Sequence, residues 1–319
     1  MWRPDGWGWR ARIGLLVPHA DICEEAEFMA MAPPGVSIHT TRVPFRGMGQ
    51  GGTMAPSIGA NPLRGYLEPP LLDHAAELLA YAPVQCICLA FTNTSFLGTV
   101  EDDRRLIERL EQRTHQIPVI DTCLAVLAAV QVLGARRLAL INPPWVDAAM
   151  TQGGAAYFGG AGLEIVFAQS AGLPNDPRDV HPGTLFEWTR AHVPASADVV
   201  FVGGNGFRAI GMIEALEEDL QRPVLTANQV LFWYALQRIG SSARVGVRPR
   251  LRRAAAHRRV APVHTSPGHP SHIVSFREPT ERERSHYSYL WTTGGKPPPC
   301  AWRDVAPGVR MRVKGNPAR

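Results

Sequence analysis

The chain has 319 residues, of which 45% are hydrophobic and 19% charged, enough apolar sequence for one large α/β domain or two small ones and too much for wholesale disorder. Its formal charge of +5 joins unlike parts: residues 1–243 carry 17 Lys+Arg against 24 Asp+Glu, and residues 244–319 carry 16 against 4. No run approaches the roughly 20 apolar residues that span a bilayer, and Cys23, Cys86, Cys88, Cys123 and Cys300 form no CxxC pair, which predicts reduced thiols in a cytoplasmic protein.

Residues 1–11 read as a leader, and the apolar run Ile13 to Val17 behind them is too short for a signal peptide. Arg12 to Pro18 is a short apolar run stopped by Pro, the pattern of a buried parallel strand. Val36 to Val43 predicts a second strand. Leu71 to Tyr81 has helical spacing, with Leu71, Leu72, Ala75, Leu78 and Leu79 assigned to one face. Cys86 to Ala90 predicts a third strand that ends in Phe91-Thr-Asn-Thr-Ser95. Glu101 to Arg113 predicts an amphipathic helix with the acidic start that a helix dipole favours. Pro118 to Asp121 is a brief strand, and Thr122 to Leu133 a buried helix.

The pattern then restarts. Arg137 to Pro143 copies Arg12 to Pro18 at an offset of 125 residues. Leu163 to Gln169, Val199 to Gly203 and Pro223 to Asn228 match the second, third and fourth strands. Glu214 to Leu220 and Gln229 to Ile239 match the two later helices. One βα unit used twice predicts an α/β fold of two pseudo-symmetric Rossmann-like halves whose parallel sheets face one cleft. The boundaries follow: 12–134 for the first half, 135–228 for the second, and 229–243 for a last helix packing back on the first. Ligands of open parallel sheets bind beyond the carboxyl ends of the strands. The candidate cleft residues are therefore Pro18 to Cys23, Phe91 to Ser95, Pro143 to Trp145 and Gly203 to Phe207. The Thr92–Ser95 and Gly203–Gly206 turns offer backbone N–H groups suited either to a carboxylate or to plain helix capping.

Four segments carry a family resemblance: Ile13 to Pro18 with Glu25 to Phe28, Ala90 to Phe96, Phe201 to Arg208, and Pro223 to Gln229 with Phe232-Trp233. At these positions the chain resembles the aspartate/glutamate racemase superfamily, in the branch of maleate cis-trans isomerase and arylmalonate decarboxylase. The resemblance implies proton chemistry next to a small carboxylate or dicarboxylate, with no cofactor and no metal. It also implies that the positions of the two catalytic cysteines of such enzymes fall on Phe91 and Gly204. Neither residue can transfer a proton or attack carbon. What the resemblance leaves is a binding apparatus: Thr92 and Asn93 on one side, Asn205 and Gly206 on the other, with Pro18 and Trp145 at the strand ends. Such donors also stabilise an enediolate. Trp145 stands where relatives often have Tyr, and Asp21 where the isomerase branch has Asn.

Asp21 and Cys23 remain as candidates for proton transfer. The acidic neighbours of Cys23 would raise its pKa, which suits a proton donor better than a nucleophile. Cys86 and Cys88 share one strand face and read as core. Cys123 reads as core or as a mouth residue, and His19 as a solvated loop residue or a base. A catalytically inactive carboxylate-binding protein is the alternative function. The oligomeric state stays open, a homo-oligomer included.

After Arg244 the sequence turns Arg-, Pro- and His-rich without a period. It reads as a disordered basic extension or as the product of a shifted reading frame. A nucleic-acid arm is disfavoured because no recognition fold or stacking platform accompanies it. His257, His264, His269 and His272 imitate a metal cluster without supporting structure.

Overall fold

A computed structural model describes residues 8–241. The first residues of the leader, the basic tail with its four histidines, and Cys300 lie outside the described residues. Among those described, no helix is long and apolar enough to cross a membrane.

Among the described residues eight strands form two sheets of four. The first holds β1 (Ala11–Pro18), β2 (Val36–Val43), β3 (Cys86–Leu89) and β4 (Val119–Asp121), in the order β2-β1-β3-β4. The second holds β5 (Arg137–Asn142), β6 (Glu164–Ser170), β7 (Val199–Val202) and β8 (Val224–Thr226), in the order β6-β5-β7-β8. Every neighbouring pair is parallel, so the second sheet repeats the first strand for strand. The central strands β3 and β7 are buried at every position, which is why they read as unbroken apolar runs rather than alternating ones. Cys86 and Cys88 are fully enclosed core residues of β3.

Among the described residues nine helices accompany the strands: α1 (Glu24–Met31), α2 (Ala60–Leu67), α3 (Leu71–Ala80), α4 (Val100–Arg113), α5 (Thr122–Leu133), α6 (Ala148–Gly160), α7 (Pro182–His192), α8 (Ile213–Leu220) and, after the last strand, α9 (Ala227–Arg238). Local chemistry fixes their ends. Thr99 and Asp102 form a capping box at the start of α4. The Asp121 carboxylate accepts the N–H groups of Cys123 and Leu124 at 2.7 and 3.2 Å, and Gly134 closes α5 in the left-handed region at φ +69°. Every residue of α9 from Ala227 to Leu236 is buried. This helix packs against α5 and α1, where Phe232 meets Phe28 edge-on at 5.2 Å.

The inner face of α3 departs from the sequence reading. Leu72, Ala75, Ala76 and Leu79 point inward, while Leu71 and Leu78 are 45% and 65% exposed. The buried set is the i, i+3, i+4, i+7 stripe, and Leu71 and Leu78 each sit one position before it. Helices α1, α2, α6 and α7 have no counterpart in the periodicity. In α6 the reason is its Ala and Gly content. Gly153 and Gly154 bring that helix so close to Phe96 that a Cβ on either would overlap it.

Candidate functional site

The carboxyl ends of the two sheets meet through a chain of buried hydrogen bonds. After β3 the backbone makes a 3-10 turn, Thr92–Leu97; after β7 it makes the Gly203–Phe207 turn. Asn205 joins them. Its Oδ1 accepts from the Thr92 backbone N–H at 2.8 Å and from the Thr92 hydroxyl at 2.7 Å. Its Nδ2 donates to Asn228 Oδ1 at 2.9 Å and to the Thr122 hydroxyl at 3.3 Å. Asn228 then donates to Glu27 Oε2 at 2.8 Å, and Glu27 Oε1 accepts the N–H groups of Ala209 and Ile210 at 2.7 and 2.9 Å. The chain thus runs from α1 through α9 to both strand-end turns, and all of its side chains are buried. Burial pushes the Glu27 carboxyl up even though three donors hold its charge.

Asp21 stands at the other side of the β7 turn. It is 5% exposed, its Oδ1 accepts the Cys23 N–H at 2.7 Å, and its Oδ2 lies so close to Gly206 that a Cβ there would overlap it. Glu24, in the first turn of α1, is 1% exposed. Burial and then the Asp21 charge hold Glu24 well above the usual carboxylate range. Burial, followed by the charges of Asp21, Glu24 and Glu27, pushes the Cys23 thiol far up, with only Arg208 opposing. Cys23 is accordingly a neutral thiol.

Aromatic rings wall the site. Phe91, Phe45 and Tyr66 meet edge-on in a closed triad, with centroids 4.8 to 5.9 Å apart. The Tyr66 hydroxyl is buried and has no hydrogen-bond partner among the described residues, and the same holds for Asn93 Nδ2. On the other side Trp145 packs against Phe207 at 5.8 Å. Gly204 sits at φ +84° against the Pro143 ring.

The structure therefore gathers Pro18, Asp21, Cys23, Thr92, Asn93, Asn205 and Gly206 at the strand ends, where the sequence reading puts them. It commits the Thr92 and Asn205 side chains to each other. The backbone N–H groups of Asn205 and Gly206 donate to no group among the described residues. His19 is exposed, and its Nδ1 accepts the Phe45 N–H at 3.0 Å. Cys123 is fully buried, with its thiol donating to the Thr92 carbonyl at 3.5 Å. Sequence reasoning misses Glu24, Glu27, Tyr66 and Thr122 as members of this region. Asn228 and Glu27 do fall inside segments that carry the family resemblance, and that was the available signal.

A second buried polar cluster lies behind the Thr92 turn. Tyr157 of α6 donates to Asp103 Oδ2 at 2.6 Å, and the Ser95 hydroxyl donates to Asp121 Oδ1 at 3.4 Å. Burial, then the Asp121 charge, pushes Asp103 up to about 8. Asp103 also lines a cavity of about 510 Å³ between α2, the Thr92–Leu97 turn and α4, with Arg64, Thr94, Arg105 and Arg109 among its walls.

Comparison with known proteins agrees with this geometry. Among curated proteins none matches. Solved structures with the same fold include a variant of maleate isomerase Iso from Pseudomonas putida S16 with maleate (20% identity, TM-score 0.63, 74% of this chain and 94% of that one). A variant of the Nocardia farcinica maleate cis-trans isomerase with a covalently bound succinylcysteine intermediate is similar (19% identity, TM-score 0.63, 72% and 93%). So is unliganded arylmalonate decarboxylase (19% identity, TM-score 0.60, 76% and 99%). The family model for arylmalonate decarboxylase matches residues 70–252, more than half of the sequence, and the chain belongs to the arylmalonate decarboxylase family.

Proposed function

We propose that the protein is a cofactor-independent enzyme of the arylmalonate decarboxylase or maleate isomerase kind, acting on a small carboxylate or dicarboxylate through an enediolate. The observation that carries this reading is the turn after β7. There the N–H groups of Asn205 and Gly206 are unengaged among the described residues, and Gly206 lies against the Asp21 carboxyl. Fixed N–H donors stabilise negative charge that develops on a carboxylate oxygen, and a neighbouring carboxyl can move the proton.

In a decarboxylation the bond from the α-carbon to one carboxylate breaks and CO2 leaves. The electron pair remains on the α-carbon and the second carboxylate as an enediolate held by the turn. The Asp21 carboxyl then gives its proton to carbon and is reprotonated from water. Asn93 and Pro18 complete the carboxylate end, and the Phe45–Tyr66–Phe91 wall and Trp145 face apolar substituents. Cys23 orients Asp21 through its N–H, and its thiol, kept neutral by burial and the acidic charges around it, is a weaker acid than a carboxyl and is the second candidate donor. A covalent cysteine route, as in the Nocardia farcinica isomerase structure, is disfavoured by Phe91 and Gly204 at the positions that the resemblance assigns to cysteine.

One observation favours a second reading, a carboxylate-binding protein without turnover: the Thr92 N–H and hydroxyl are both engaged by Asn205. Incubation with arylmalonates, malonate and maleate in EDTA, followed by product analysis and thermal shift, separates the two. Conversion supports the enzyme. Stabilisation by these acids without conversion of any supports the binding protein.

A further inference from the structure

We infer that Asn228 is a positioning residue. By holding the Asn205 carbonyl, it keeps the Asn205–Gly206 peptide in the one of two orientations that offers a substrate carboxylate the Gly206 N–H and not a carbonyl oxygen. This rests on the reading of the turn after β7 as the carboxylate grip.

That turn has two accessible forms. The Phe207 N–H donates to the Gly204 carbonyl at 3.0 Å, so Gly204 to Phe207 make a β-turn with Asn205 and Gly206 at its centre. Neither central residue has a positive φ, which rules out type II and leaves type I. Turning the central peptide over converts one type into the other, and the residue that must then take a positive φ is Gly206, which glycine does readily. The residues of the turn therefore permit both forms, and a contact from outside it has to choose.

Asn228, in the first turn of α9, supplies that contact. Its Nδ2 donates to the Asn205 carbonyl at 2.8 Å and to Glu27 Oε2 at 2.8 Å, and its Oδ1 accepts from Asn205 Nδ2 at 2.9 Å. In a trans peptide the C=O and N–H point opposite ways. A carbonyl tied to α9 therefore sends the Gly206 N–H away from that helix, where it meets no acceptor among the described residues. Neighbours fix the orientation of both side-chain amides. The Thr92 N–H can only donate, so Asn205 turns its Oδ1 to Thr92 and its Nδ2 to Asn228. Asn228 must answer with Oδ1, which leaves its Nδ2 for the Asn205 carbonyl and for Glu27. Asn228 is 1% exposed, and in such an enclosed setting these bonds decide the orientation of the peptide.

Crystal structures of the full chain, as wild type and as Asn228→Ala, read the peptide directly and need no ligand. In Asn228→Ala the Asn205 carbonyl is expected to leave α9 and Gly206 to take a positive φ, as in a type II turn. A peptide that keeps its wild-type orientation overturns the inference. Should Asn228→Ala not fold, Asn228→Leu, which fills nearly the same space without a donor, is read in the same way: a turned peptide supports the inference and an unturned one overturns it.

The binding arm is titration calorimetry with phenylacetate, a carboxylate with nothing to decarboxylate. Asn228→Ala is expected to bind it at least about tenfold more weakly than wild type, because the anion loses a hydrogen bond and meets a carbonyl oxygen instead. Thr99→Ala removes only the capping box of α4; it also loses stability and is expected to bind as wild type does. Equal affinity in wild type and Asn228→Ala, or an equal loss in Asn228→Ala and Thr99→Ala, overturns the positioning role. If wild type binds no phenylacetate, the reading of the turn as a carboxylate grip fails, while the crystal structures still decide what holds the peptide.

Discussion

Gly204 shows how far a single residue constrains the chemistry of this chain. Its φ of +84° is one that residues with a Cβ rarely adopt, and a Cβ there would overlap the Pro143 ring. Restoring the cysteine that the resemblance expects is therefore not a neutral change: Gly204→Cys should cost about 1–3 kcal/mol. A urea midpoint equal to that of wild type would contradict this. Asp103 makes a second residue-scale prediction. Its carboxyl is raised from 3.8 to about 8, chiefly by burial, so the folded state binds the proton more tightly than the unfolded one. The stability this provides is complete below the unfolded pKa and is lost as pH rises from about 4 towards 8. Asp103→Asn keeps an acceptor for Tyr157 and removes the titration, so its melting temperature should gain on wild type steadily between pH 5 and 8. Parallel curves would refute it. Neither feature is readable from sequence, because the positive φ and the enclosure of Asp103 by α6 arise only when distant segments pack.

Among the elements, α1 is the most instructive. Its inward stripe is Glu24, Glu27, Phe28 and Met31, an i, i+3, i+4, i+7 pattern that is half acid. Hydrophobic periodicity cannot detect such a helix, and the sequence reading leaves Glu24 as a mere neighbour of the first cleft loop. The acids are inside because Glu27 collects the Ala209 and Ile210 N–H groups and the Asn228 amide across the molecule. Glu27→Ala leaves those donors buried without an acceptor and should lower stability by about 2–4 kcal/mol, measured by denaturant unfolding; Glu27→Gln should lose less. A loss of under about 1 kcal/mol in Glu27→Ala would show that the carboxylate is not what holds the β7 turn. In contrast, α4 and α5 carry their start signals in the chain itself, at Thr99–Asp102 and Asp121, and both are found where the sequence reading puts them.

For the whole molecule, the repeat that opens with Arg12–Pro18 and restarts at Arg137–Pro143 predicts two like sheets, and the two share one strand order. The hydrogen bonds that lock the sheets together could not be read in the same way. Thr92 to Asn205 and Glu27 to Asn228 span 113 and 201 residues, and no local pattern announces them. Those bonds, together with Tyr157 to Asp103 and the packing of α9 on α5 and α1, cross between the repeats. The two repeats should therefore unfold as one unit, with far-ultraviolet circular dichroism and tryptophan fluorescence giving coincident transitions. Two separated transitions would mean that the repeats are independent domains.

The most direct test of the proposed chemistry is incubation of the protein with an arylmalonate in D2O and EDTA, with the product read by mass spectrometry for wild type, Asp21→Asn and Cys23→Ala. A carboxyl donor at Asp21 predicts a monocarboxylate carrying one carbon-bound deuterium from wild type and Cys23→Ala, and a loss of at least about a hundredfold in rate for Asp21→Asn. Undiminished product from Asp21→Asn, or none from wild type, would contradict it.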